Sequence, residues 1–128
     1  MNQILIIIVV SFAGVALYIW RCQISRRNEA RQNIYKEIKQ KQPEFFKAVS
    51  DLMFKHDPIE INFETNTDEY DPEAGTVISR LPTANNEDEV LDIIHQTFVV
   101  WFGEDTAGNR NRYVGLANEI WALWREKA

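Results

Sequence analysis

The sequence has one cysteine, two histidines and no glycine-rich segment. Because Cys22 stands alone, neither an intrachain disulfide nor a multi-cysteine metal site can form. No serine or cysteine lies in a nucleophile motif, and no glycine-rich loop is present to hold a phosphate. We therefore predict no catalytic residue and no cofactor, and we expect a non-enzymatic protein.

Alternation of apolar and polar residues, the pattern of a half-buried strand, is also nearly absent, since only residues 59–63 show it. Apolar residues recur at helical spacing instead, which predicts an all-α fold. The predicted helices of the C-terminal part cover residues 43–56, 72–81, 87–102 and 109–128. We expect Asn86 to cap the third of these helices and Gly103 to end it, with a loop over residues 104–109.

Charged side chains are missing from residues 1–20. As a helix this segment is roughly 30 Å long, which is enough to cross a bilayer. The sequence before Cys22 offers no small-residue pair for signal cleavage. Residues 1–20 are therefore predicted to be an uncleaved transmembrane anchor that contacts the lipid bilayer.

Basic residues follow the apolar segment. Residues 21–47 contain eight Lys/Arg and three Glu, a net charge of +5. The positive-inside rule then predicts a single-pass protein of the bacterial inner membrane, with its N-terminus outside and its C-terminal domain cytoplasmic.

Residues 21–42 are predicted to extend the first helix as a basic stalk. It either binds anionic lipid headgroups or only sets the topology. Because a membrane already accounts for these charges, nucleic acid is not an expected partner. The cations nearest the membrane are Arg21, Arg26, Arg27 and Arg31.

The remainder of the chain is acidic. Residues 48–128 contain six Lys/Arg and sixteen Asp/Glu, a net charge of −10. We expect residues 43–128 to form a compact four-helix domain. Opposite charge speeds and orients association, so a basic protein is the expected partner. One specific form of this hypothesis is an immunity-type protein that neutralises a basic toxin.

The segment DPIEINFETNTDEYDPE, residues 57–73, holds seven of the nineteen acidic residues. Asp57 and Pro58 are expected to end one helix, and Asp71 to cap the next helix before Pro72. Glu73 is expected in the first turn of that helix, where the helix dipole favours an acid. Capping leaves four acids unexplained, and they form the candidate partner-binding surface: Glu60, Glu64, Asp68 and Glu69.

The order of a helix, DPI–INF, DEYDPE and an acid-capped helix that ends in WFG resembles a family of small bacterial helical domains of unknown function. The match covers about residues 45–103. The residues that carry it are Asp57, Pro58, Asp68, Glu69, Tyr70 and Asp71. The resemblance implies a compact all-α fold and brings no activity, cofactor or catalytic residue. The membrane span and the aromatic C-terminal helix depart from the shortest members.

Two alternative functions stay open. The first is a metal-binding or metal-dependent hydrolytic domain, because hard cations take carboxylate ligands. Its candidate ligands are His56, Asp57, Asp68, Glu69 and Asp71. The second is a structural subunit of a membrane complex, paired through its single span.

Overall fold

The chain folds into α-helices. The computed structural model describes residues 2–61 and 68–127, with side chains from residue 12 onward, and these residues contain no strand. The helices are α1 (Asn2–Lys41), α2 (Pro43–His56), α3 (Asp71–Arg80), α4 (Glu87–Phe102), α5 (Glu104–Ala107) and α6 (Val114–Lys127). Short 3₁₀ turns cover Leu81–Thr83 and Arg110–Tyr113. The predicted all-α class is confirmed.

The chain divides into two compact units, residues 1–32 and residues 33–128. The first unit is the N-terminal part of α1, and its described apolar side chains, such as Phe12 and Trp20, are exposed. The side chains of residues 1–11, which form half of the predicted span, lie outside the described residues.

One structural finding bears on the predicted membrane span. Over the residues that the structure describes, no helix combines the length and the apolar character needed to cross a membrane.

The second unit begins before the predicted domain boundary. Residues 33–41 of α1 belong to it, and Tyr35 and Ile38 pack against the core. The helix does continue as predicted, but to Lys41, and Pro43 starts α2. The end of the predicted stalk is therefore part of the helical domain.

The helix ends follow local chemistry. The Asn86 side chain accepts a hydrogen bond from the Glu89 N–H, and Gly103 ends α4 at a φ of +85°. Both predictions are confirmed. The predicted loop over residues 104–109 is wrong in its first part, because Glu104–Ala107 forms α5. A single helical turn is too short to give a periodic apolar pattern, so the sequence carried no signal for it.

The core of the second unit combines faces from α2, α3, α4 and α6. Phe98 is fully buried at its centre, and its ring centroid lies 5.1 Å from that of Tyr113 and 5.9 Å from that of Tyr70. On α2, Phe46 is buried, whereas its neighbour Phe45 is only partly buried. Val100 is 60% exposed and belongs to no core face.

Gly75 allows a close helix contact within this unit. A Cβ atom at Gly75 would lie 2.7 Å from the Cα and 2.8 Å from the Cβ of Tyr35. Real side chains do not approach that closely, so the backbones of α1 and α3 can meet here only because residue 75 is glycine.

The Gly75 contact can be tested with Gly75→Ala. Overpacking against a backbone atom is expected to lower the free energy of unfolding by about 1–3 kcal/mol, despite the better helix propensity of alanine. The measurement is urea denaturation of the full chain, followed by tryptophan fluorescence. Ser79→Ala, at an exposed position of the same helix, is the matched control and should change stability by at most about 0.5 kcal/mol. Equal effects of the two variants would contradict the close contact.

Candidate functional site

The two ends of the acidic segment meet inside the domain. Asp57 ends α2 with a φ of +44°, in the left-handed region that helix C-caps commonly use. Its Oδ1 atom accepts a hydrogen bond from the Tyr70 hydroxyl at 2.6 Å and another from the Ile61 N–H at 2.9 Å. Tyr70 is fully buried, and burial, together with the Asp57 carboxylate, raises the pKa of its hydroxyl. The hydroxyl therefore stays protonated and donates.

A second bond joins α2 to the start of α3. The Ser50 hydroxyl donates to Asp71 Oδ1 at 2.5 Å, and Lys39 Nζ lies 3.4 Å from Asp71 Oδ2. The predicted capping role of Asp71 is wrong, because Tyr70 occupies the N-cap position and no side chain caps this helix. The Asp71 carboxylate turns towards α2 and α1 and is buried there. Of the two prolines in the acidic segment, Pro58 is buried and Pro72 is the second residue of α3.

The structure describes three of the four predicted partner-binding residues. Glu60 and Asp68 are exposed and line different clefts. Glu69 is partly buried, and Glu64 lies outside the described residues. Ile59 and Ile61, on either side of Glu60, pack against the core, and Phe63 lies outside the described residues. The segment is thus a connection anchored at both ends, with acids left on its surface.

The first cleft, here called the Glu60 cleft, has a volume of about 410 Å³. It is lined by His56, Asp57, Pro58, Ile59, Glu60, Thr106 and Arg112. Glu60 has a φ of +58°, a conformation that costs a non-glycine residue about 1 kcal/mol. The backbone of this part of the connection is therefore held by its surroundings.

Arg112 supplies much of that support. Its Nη1 atom donates to the backbone carbonyls of Pro58 (3.1 Å), Thr106 (3.0 Å) and Ala107 (3.0 Å). The guanidinium group therefore ties the start of the connection to α5. The sequence analysis missed Arg112 and Thr106, because nothing in their local pattern distinguishes them from exposed polar residues.

His56 has a structural partner beside this cleft. Its Nε2 atom contacts a carboxylate oxygen of Glu119 on α6, and Lys55 Nζ lies 3.2 Å from the other oxygen. Hydrogen bonds, first from His56 and then from Lys55, lower the pKa of Glu119. His56 and Lys55 thus join α2 to Glu119 on α6.

The second cleft, here called the Asp68 cleft, has a volume of about 440 Å³. Its lining combines apolar, hydroxyl, basic and acidic side chains: Lys39, Pro43, Phe46, Lys47, Ser50, Asp51, Asp68 and Asp71. Asp51 forms an ion pair with Lys47 at 2.6 Å. The backbone N–H of Asp71 donates to the Asp68 carbonyl at 3.1 Å, which places these two acids in one turn.

The proposed metal ligands do not converge. Within residues 2–61 and 68–127, no group of three His, Cys, Asp or Glu side chains is arranged to hold a metal ion.

Glu73 is an unexpected feature of the first turn of α3. Its side chain is 3% exposed, and its Oε2 atom has no hydrogen-bond partner among the residues that the structure describes. Burial, and secondarily the charges of Asp71 and Glu69, raises its pKa to about 7. The sequence predicts only that Glu73 is a favourable acid at a helix N-terminus. Only the packing of neighbouring helices decides that it is buried.

The comparisons with known proteins leave the chain without an assigned relative. No protein-family model matches it, and no curated protein or solved structure matches it either. The resemblance to small bacterial helical domains stays a prediction.

The Asp57–Tyr70 hydrogen bond can be measured with a double-mutant cycle of Tyr70→Phe and Asp57→Ala. Tyr70→Phe is expected to lower the free energy of unfolding by about 1–3 kcal/mol, because a partly buried carboxylate loses its donor. Urea denaturation of the full chain gives the values. The control is Tyr35→Phe, since the Tyr35 hydroxyl has no hydrogen-bond partner among the described residues. A coupling energy near zero between positions 57 and 70 would show that the bond does not hold the connection.

The buried carboxyl of Glu73 predicts a pH dependence. Since its folded pKa of about 7 lies above the ordinary 4.5, the folded state binds the proton more tightly than the unfolded state does. The contribution of Glu73 to stability is therefore best at acidic pH and is lost as the pH rises from 4.5 to 7.

Glu73→Gln removes this titration. Relative to the wild type, the variant should gain about 2 kcal/mol of stability between pH 5 and pH 8. Urea denaturation of both proteins at each pH provides the comparison, and all other groups cancel in the difference. Parallel stability profiles for the two proteins would mean that Glu73 does not titrate in this range.

Proposed function

We propose that this chain is a non-enzymatic, membrane-tethered module whose acidic helical domain binds a basic protein. In this proposal, residues 1–20 anchor the chain in the bacterial inner membrane, and the domain lies in the cytoplasm. The charge-free N-terminal segment and the arginines that follow it support this part, on the strength of the sequence.

The charge of the second unit carries the binding part of the proposal. Residues 33–128 contain ten Lys/Arg and eighteen Asp/Glu, a net charge of −8. A field of that sign attracts a basic protein and repels an acidic one over about 8–10 Å at physiological ionic strength.

The arrangement of the acids supports a surface role for some of them. Asp57 and Asp71 bond to Tyr70 and Ser50 inside the fold, so their charges are already used. Glu60 and Asp68 are exposed, and neither forms an ion pair with another residue that the structure describes. Among the described residues of this segment, they are the exposed carboxylates.

The test is affinity capture with the full chain in neutral detergent, from detergent extracts of the source cells, at low and at high ionic strength. The wild type is compared with the double variant Glu60→Lys/Asp68→Lys. The matched control is Asp105→Lys/Glu126→Lys, which makes the same charge change at exposed positions outside both clefts.

We expect a basic protein whose retention falls steeply with salt and drops about tenfold or more in the Glu60→Lys/Asp68→Lys variant. The control variant should lose much less. The proposal fails if no basic protein is recovered, or if both variants weaken retention equally.

A further inference from the structure

The Asp68 cleft has the chemical composition of a site for a long cationic side chain. We propose that it receives an arginine side chain of the basic partner. This inference rests on the proposed function and specifies where and by what chemistry the partner is held.

The walls of the cleft match the two parts of an arginine. Pro43 is exposed and lines the cleft with apolar surface, which suits the three methylene groups of the side chain. Asp68 and Asp71 lie three residues apart in a single turn, and both line the cleft. The exposed Asp68 carboxylate is a suitable acceptor for the planar guanidinium group of an arginine.

A cation of the protein itself already lies at the edge of this cleft. Lys39 Nζ is 5.7 Å from the ring centroid of Phe46, 5.8 Å from that of Tyr35, and 3.4 Å from Asp71 Oδ2. The site therefore places a positive charge over aromatic rings and next to a buried carboxylate.

The contact between Lys39 and Asp71 is longer than a typical ion-pair hydrogen bond. A charge-assisted N–H···O bond is normally 2.7–2.9 Å long, and the Lys39 contact is longer. The Lys39 side chain is also 53% exposed, whereas that of Asp71 is 9% exposed. The buried carboxylate thus has a weakly held cation beside it, and the cleft retains room for a second one.

The charge of the lining selects the sign of the ligand. Among the lining residues that the structure describes are three aspartates and two lysines, which leaves one negative charge in excess. Lys47 is engaged with Asp51, and Lys39 lies beside Asp71. Asp68 is exposed and forms no ion pair with any described residue. A cation completes this set of charges, and an anion would be repelled by it.

The Glu60 cleft is less suited to the same ligand. Arg112 lines it, and its guanidinium group is fixed there by three backbone carbonyls. A partner arginine would meet a like charge that cannot move away. The Asp68 cleft is therefore the better of the two acidic clefts for a basic partner.

For the test, the full chain is isotope-labelled, held in neutral detergent and titrated with a short oligoarginine peptide. Amide NMR chemical shifts are recorded during the titration. An oligocitrulline peptide of the same length has the same shape without the charge and serves as the ligand control. We expect shifts concentrated at Phe46, Ser50 and Asp68, and little response to oligocitrulline.

Two variants at exposed positions test whether oligoarginine binds specifically in the Asp68 cleft. Asp68→Asn should weaken oligoarginine binding about tenfold, because it removes one charged hydrogen-bond acceptor. Glu60→Gln, the same type of change in the other cleft, should leave the affinity within about twofold. Shifts spread over all acidic surfaces, or an equal loss in both variants, would overturn the assignment of the cleft.

The failure of this inference can be separated from that of the proposed function. If a basic protein is captured with the expected charge dependence but Asp68→Asn changes neither its retention nor oligoarginine binding, the cleft assignment is wrong and the binding module stands. If neither a basic protein nor oligoarginine binds, both proposals fail.

Discussion

Tyr70 lies at the centre of the helical domain, with its hydroxyl on the carboxylate of Asp57 and its ring against Phe98. This contact joins the residue that ends α2 to the residue that precedes α3. The bond thus holds the two ends of the connection between α2 and α3 together, although that connection is rich in acids that repel one another. Since Tyr70 is fully buried, losing the bond would leave a polar hydroxyl inside the core. The position of α3 against α2 and α4 depends on it.

The same region contains the domain's unfavourable interactions. Asp71 is buried but bonded to Ser50, whereas Glu73 is buried with an oxygen that accepts no hydrogen bond. Nearby negative charge adds to the cost of ionising Glu73, so this helix start is under electrostatic strain near neutral pH. The close contact of Gly75 with Tyr35 holds α3 in place from the side of α1. Packing thus compensates for the charge that the segment brings together.

Most of the acidic charge in the connection has one of two roles. Asp57 and Asp71 act inside the fold, and their replacement is a question of stability. Glu60 and Asp68 are exposed at separate clefts, and the proposed function assigns recognition to them. The proposed binding function draws on this difference, because the exposed Asp68 can meet a partner while Asp71, in the same cleft, keeps its bond to Ser50. Long-range attraction comes from the net charge of the unit, and the choice of contact comes from the shape and lining of a cleft.

The amino-acid sequence by itself determined the helical class, the limits of α2 and α4, and the apolar faces of α3 and α4. These follow from local chemistry: Pro43 starts a helix, Asn86 caps one, Gly103 ends one, and apolar spacing marks the buried side. It also determined that the acids concentrate between α2 and α3. Only the tertiary structure decided which of them are used internally. The bonds of Asp57 and Asp71 span 13 and 21 residues, and Arg112 reaches back 54 residues to Pro58. No local pattern encodes such contacts, because they depend on how whole helices pack.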